Sequence, residues 1–149
     1  MNILQANPWI QEHIALYRSN PERAHLWDAR ISGGPGPTPS LLLTSTGRKT
    51  GTPRPSPLIY QQVNDSYVVL ASKGGMDDHP IWYLNLQANP HCHLQISTTS
   101  LDALARTAEG DERATLWGTM INFYPLYAEY QSRTSRLIPI VVFDPWIEP

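Results

Sequence analysis

The sequence predicts a small α+β barrel: a meander of antiparallel strands with short helices at fixed points. Three observations predict it. The first third is helical in pattern, short strand-like runs bounded by turn residues follow from Leu41 onwards, and only two helical stretches interrupt them, too few for repeated βαβ units. In "PWIQEHIALYRSNPERAHLWDAR", Trp9, Ile10, His13, Ile14 and Tyr17 recur at helical spacing, and Pro8 suits a first helical position. Asn20-Pro21 breaks and restarts the pattern, so two short helices are expected. "SGGPGPTPS", Ser32 to Ser40, holds too much glycine and proline for either regular structure and reads as a loop. It divides an N-terminal helical segment and linker, residues 1–40, from a barrel domain, residues 41–149.

From there "LLLTST", "PLIYQQV", "SYVVLAS", "HCHLQIS" and "LDALART" are strand candidates, with Asn64-Asp65 as a tight turn. Two helices interrupt them. "PIWYLNLQAN" opens with Pro80 and stops at Asn89-Pro90, and "DERATLWGTMINF" begins with acidic residues that suit a helix N-terminus. "LIPIVVFD" is the closing strand, and no internal repeat is visible.

A chain of 149 residues is long enough to bury one sizeable core. Its single cysteine, Cys92, forms no internal disulfide, and no Cys/His cluster has structural zinc spacing. Neither a secretory leader nor an apolar run of membrane-spanning length is present, so the expectation is a cytoplasmic protein. A net charge of −2 and a pI near 6.2 give no overall field for nucleic acid.

Against that acidic balance, "TGRKTGTPR" places Arg48, Lys49 and Arg54 within Thr46 to Arg54. The stretch is not a Walker loop, because Lys49 follows Arg48 and Thr52-Pro53 leads into extended chain. Pro53, Pro55 and Pro57 lack their N–H donors on one side of a strand, so that strand lies at an edge or bulge. On the same period Arg54, Ser56 and Leu58 share a face, which lets Arg54 reach back over the turn. Free backbone donors plus basic side chains suit a phosphate or carboxylate; an ordinary solvated hairpin turn is the other reading. In "ASKGGMDDHP", Ala71, Ser72, Lys73, Gly74 and Gly75 lie between a strand and a helix start, where glycines permit close backbone approach to a ligand or simply make a flexible turn. Two such sites suggest an elongated anion.

Tyr124, Tyr127 and Tyr130 at i, i+3, i+6 share one helical face, either as a packing surface or as hydroxyls opening on a polar cavity. In "HCH", His91 and His93 face away from Cys92, which argues against a metal site. Asp77-Asp78 before Pro80 reads as helix-start capping.

The blocks "LLLTSTGRKTGTPRPSPLIY", "VVLASKGGMDDHPIWYLNLQANP" and "YPLYAEYQSRTSRLIPIVV", in that order, resemble the deazaflavin (F420)-dependent nitroreductase family of the flavin-reductase-like split β-barrel superfamily. The resemblance implies an α+β split β-barrel of antiparallel strands with short flanking helices, and an oxidoreductase using coenzyme F420, an 8-hydroxy-5-deazaflavin with a phosphate and an oligoglutamate tail. By the same resemblance Arg48, Lys49 and Arg54, with Ser56 beside them, hold phosphate and tail. Ala71 to Gly75 lie along the deazaflavin through backbone donors, with Lys73 adding charge. Trp82, Tyr83 and Asn85 flank the coenzyme, and Tyr130, Tyr124 and Tyr127 cover the substrate side. Hydride would pass to electrophilic acceptors: activated C=C bonds of enones and unsaturated lactones, quinones, and nitroaromatics. Relatives commonly read Thr-Asp-Arg at Thr134-Ser135-Arg136, and some nitro-reducing ones carry tyrosine at Ile59. The implied partners are a small-molecule acceptor and, through the coenzyme alone, an F420-reducing dehydrogenase; no nucleic acid is implied, and the N-terminal helices are a candidate for peripheral membrane contact. A non-catalytic deazaflavin, fatty-acid or haem binding protein, or an FMN-dependent oxidase, would share the fold.

Overall fold

The computed structural model describes residues 8–28 and 36–147. Helices α1 (Pro8–Ser19) and α2 (Pro21–His25) meet at Asn20, whose side chain accepts the Arg23 N–H (3.3 Å) as an N-cap. The predicted stripe is the buried face: Ile14 and Tyr17 pack with Ala24 and with Leu42 of the first long strand. His13 is buried too, bonded to Ala24 O (3.0 Å) and Ser40 Oγ (3.1 Å) and stacked on Trp27.

Strand β1 (Leu26–Asp28) has no sequence counterpart among the expected elements; it pairs antiparallel with the start of β2 (Pro37–Thr46). Thus Pro37 to Ser40 are strand, not loop. The helical unit recruits them: Ser40 Oγ donates to Ala24 O (2.8 Å), Tyr17 donates to Ser40 O, and Thr38 and Ser40 are buried. The remainder of the expected loop, as far as residue 35, lies outside the described residues.

The ladder then runs β3 (Pro53–Ile59), β4 (Gln61–Val63), β5 (Ser66–Leu70), β6 (His91–Ile96), β7 (Thr99–Thr107) and β8 (Ile140–Pro145). All pairings are antiparallel: β2 with β3 and β6, β6 with β7, β7 with β8, β8 with β5, β5 with β4. Because β3 and β4 are one extended run broken only at Tyr60, whose N–H donates to Pro39 O (3.2 Å), the sheet curls round on itself. The fold is the expected α+β barrel.

Both faces of the central strands are covered. Val69, Val141 and Phe143 point into the barrel with Leu41, Leu43 and Leu94, while Val68, Leu70, Ile140 and Val142 point out against Leu116, Met120, Tyr124 and Tyr127. That two-sided burial is why "SYVVLAS" and "IVVF" read as continuous apolar runs. The outer cover is α4 (Gly110–Phe123) and α5 (Leu126–Ser132); α3 (Ile81–Ala88) sits beside β2. Tyr124 closes α4 and Pro125 starts a new helix, so the tyrosine stripe is shared by two helices instead of lying on one. No described helix is long and apolar enough to cross a membrane.

Candidate functional site

Gly47 to Thr52 close the β2–β3 hairpin through Gly47 N–H to Thr52 O and Gly51 N–H to Gly47 O, both 2.8 Å. Arg54, opposite Ser45 in the ladder, reaches back as expected and donates from Nη2 to Thr50 Oγ1 (3.3 Å). Arg48, Lys49 and Arg54 are all exposed, and none forms an ion pair among the described residues. Three like charges left unneutralised at one turn attract an anion. The turn's donors are only partly free: the Arg48 N–H is taken by Asn85 Oδ1 (3.1 Å), whereas those of Lys49 and Thr50 meet no acceptor among the described residues. Asn85 is buried and its Nδ2 donates to Ser45 Oγ (3.4 Å), so its amide ties the turn to α3. Ser56 lies half-buried on β3 opposite Leu43.

The second element is more tightly built. After Ala71, whose N–H donates to Pro139 O (2.9 Å), Ser72 is right-handed helical (φ −80°, ψ −37°), and Lys73 and Gly74 have φ of +46° and +63°. Successive residues of opposite hand turn their N–H groups to one side as a concave anion nest. The N–H groups of Ser72, Lys73 and Gly74 have no acceptor among the described residues, while those of Gly75 and Met76 close the turn onto Ser72 O (2.9 Å) and Lys73 O (3.2 Å). A lysine in the left-handed region is held at a cost of about 1–3 kcal/mol, a kind of strain found at ligand sites. Its ammonium is paired with Asp78 (2.8 Å). Asp78, drawn below the usual carboxylate range first by that bond, is therefore a partner of Lys73. Asp77 accepts from Thr134 Oγ1 (2.9 Å), and α3 starts at Pro80 with no side-chain cap. The capping role expected of the acidic pair is corrected accordingly.

Gly75, with φ of +81°, packs directly on α5: a Cβ there would lie 2.5 Å from Tyr130 O. Tyr124 and Tyr127 are buried, their rings 4.8 Å apart, and Tyr127 contacts Tyr130 at 6.3 Å. Burial pushes the Tyr127 phenol far up and, with Tyr124 next to it, pushes Tyr130 up to about 12. Tyr130 is the member of the three that is not fully buried, and Arg133 stacks over its ring at 5.4 Å. It is a neutral hydrogen-bond donor at physiological pH. Trp82 is half-buried and perpendicular to Tyr83, whose hydroxyl is bonded to Thr107 Oγ1 (2.7 Å) at the wall of a 330 Å³ cleft shared with His79 and Arg113.

A family model for the F420H(2)-dependent quinone reductases matches residues 9–145. The chain belongs to the F420H(2)-dependent quinone reductase family. It is 38% identical to the F420H(2)-dependent quinone reductase of Mycobacterium tuberculosis strain H37Rv over 147 residues, covering 90% of this chain and 94% of that protein. Among solved structures it resembles an F420-H2 dependent reductase at 43% identity and a TM-score of 0.66, covering 70% of this chain and 93% of that one. A second, described as a domain-swapped dimer, matches at 38% identity and a TM-score of 0.69, over 90% and 94% of the two chains. The family, fold and coenzyme class that the three sequence blocks imply are thereby met.

Sequence reasoning met Arg136 only as the last residue of the stretch where relatives read Thr-Asp-Arg, and gave it no role. Its guanidinium donates to the carbonyls of Ala71 (3.0 Å), Ser72 (2.7 Å) and Met76 (2.7 Å) and faces His79 Nδ1 (3.1 Å). Nothing local in "SRTSRL" marks a residue whose partners lie sixty positions earlier.

Proposed function

We propose that this protein is an F420H2-dependent quinone reductase in which the basic turn and the backbone nest hold the anionic coenzyme and Tyr130 faces the acceptor. The observation that carries this reading is the donor set: exposed cations with no ion-pair partner among the described residues at Arg48, Lys49 and Arg54, and N–H groups with no acceptor among those residues at Ser72, Lys73 and Gly74. Charge distributed along a ligand is matched by charge and dipoles distributed along the protein. When bound, reduced F420 supplies a hydride.

The chain's own residues do the rest. Arg48, Lys49 and Arg54 bind phosphate and carboxylates, and Asn85 fixes the turn that carries them. The Ser72–Gly75 backbone aligns the polar part of the coenzyme, with Trp82 and Tyr83 flanking it. Tyr130, protonated well above neutral pH, donates a hydrogen bond to the acceptor oxygen as negative charge develops there. Tyr124 and Tyr127, buried behind it, shape the acceptor side. Quinones are the principal acceptors; enones, unsaturated lactones and nitroaromatics present the same electrophilic demand and belong to the same acceptor class.

The test mixes the protein with F420H2 and a naphthoquinone and follows the return of oxidised coenzyme absorbance. Tyr130→Phe should keep coenzyme affinity and lose about 10- to 1000-fold in turnover, with Tyr124→Phe losing less. F420 should bind more tightly than FMN. Binding without quinone-dependent oxidation would leave a coenzyme carrier in place of a reductase.

A further inference from the structure

Resting on that reading, we propose that Arg136 is a positioning residue which aims the anion-binding N–H groups of Ser72 and Lys73 and couples them to the tyrosine helix. The geometry follows from the planarity of the peptide. In a trans peptide the C=O and the following N–H point in opposite directions, and no described peptide is cis. Arg136 Nη1 holds Ala71 O and Nη2 holds Ser72 O, so the next N–H groups, those of Ser72 and Lys73, are turned away from the guanidinium. Those are two of the three nest donors. Nε on Met76 O closes the far side of the loop, and Arg133 Nη1 touches Gly74 O (3.4 Å).

A fork of coplanar donors is needed to reach three carbonyls at once, which an ammonium on a single stem does not provide. Among the described residues the Arg136 guanidinium hydrogen-bonds no carboxylate; its acceptors are backbone oxygens and His79. It is thus spent on shape, whereas Arg106 on β7 is spent on Glu112 and Asp144. The other end of the same segment is fastened too. Thr134 Oγ1 donates to Asp77 and accepts the Arg136 N–H (3.2 Å), and Gly75 lies against the Tyr130 backbone. Loop and α5 therefore move as one body, so the coenzyme-facing amides and the Tyr130 hydroxyl keep a fixed mutual position.

The experiment compares wild type with Arg136→Met, which keeps the stem and removes the donors, Arg136→Lys, which keeps the charge and removes the fork, and Arg106→Met as a control. Two quantities are read: the dissociation constant of oxidised F420, and amide hydrogen exchange of the coenzyme-free protein. Both Arg136 variants should weaken F420 about 10- to 100-fold, as expected for lost charge-assisted positioning. The protection of the Gly75 and Met76 amides should fall at least about tenfold while β5 and β8 amides keep theirs. Arg106→Met should leave F420 affinity unchanged. If Arg136→Met does not fold, Arg136→Lys carries the same comparison. Unchanged exchange at Gly75 and Met76, faster exchange with F420 affinity kept within about twofold, or full rescue by lysine would each overturn the proposal. Failure of the wild type to bind F420 would instead remove the functional reading, and exchange alone would then decide whether Arg136 sets the loop.

Discussion

The basic turn and the Ser72–Gly75 loop present an anion with two different kinds of attraction. At the turn the attraction is side-chain charge: Arg48, Lys49 and Arg54 project into solvent from a hairpin anchored at one N–H by Asn85. In the loop it is backbone dipoles, held in place by Arg136, by the Lys73–Asp78 pair and by the contact of Gly75 with α5. Charge on exposed side chains is screened by salt and tolerates small movements. Dipoles in a nest resist salt but fail when the backbone shifts. In the proposed function, recognition would thus divide into a soft long-range part and a rigid short-range part.

The largest expected effect breaks the rigid part. Gly75→Ala forces a Cβ to within 2.5 Å of Tyr130 O and 2.9 Å of its Cα, at a φ of +81°. The variant should lose about 2–4 kcal/mol of stability, read as a fall in Tm, together with coenzyme binding. Gly74→Ala, with φ of +63° and nothing within 4 Å of the added carbon, should lose only about 1–2 kcal/mol. Equal losses would show that α5 yields and that the loop is not geometrically fixed.

Removing the soft part comes next. Lys49→Ala with Arg54→Ala should weaken F420 about 10- to 100-fold at low ionic strength, with the gap to wild type narrowing as salt rises. Titrations at two salt concentrations decide it, and parallel salt slopes for the two proteins would mean that charge is read elsewhere.

A smaller effect concerns pH. His79 accepts from Arg136 at Nδ1, and burial first, then the Arg136 charge, lowers its pKa below 6.5, opposed by Asp78. A depressed histidine leaves the unfolded chain the better proton acceptor, so stability is full above 6.5 and declines as pH falls toward the folded-state value. His13 and His25, also depressed by burial, add to the same decline. The His79 share is therefore the difference in Tm loss between wild type and His79→Gln from pH 7 to pH 5, and no difference would show that His79 takes no part in holding Arg136.

The smallest effect separates backbone from side chain within the loop. Lys73→Gly relieves a positive φ and deletes an exposed ion pair, so stability should stay within about 1 kcal/mol and F420 affinity within about fivefold of wild type. A greater loss of affinity would move Lys73 into the same class as the basic turn.

Local chemistry was what the sequence made legible. The Asn64 turn with φ of +55°, the break at Asn20-Pro21, the alternation of Cys92 and Leu94 with exposed histidines, and the reach of Arg54 all follow from neighbours in sequence. The failures lie where a distant segment decides. Pro37 to Ser40 became strand because α2 and β1 pack on them. Asp77 and Asp78 found Thr134 and Lys73 in place of helix amides. No composition or periodicity encodes these; each needs the barrel closed first.

That closure waits on one strand. β8 is the last of the described strands, yet it lies between β5 and β7, with Val69 opposite Val141 and Ala105 opposite Phe143. Hairpins β2–β3, β4–β5 and β6–β7 form from contacts close in sequence, but the two halves they build cannot be joined until Ile140 to Phe143 arrive. Until β8 pairs with it, the "VVL" run of β5 keeps one ladder edge open. Without β8 the facing edges of β5 and β7 both stay unpaired, so a fragment ending before Ile140 has two sticky edges in place of a smaller barrel.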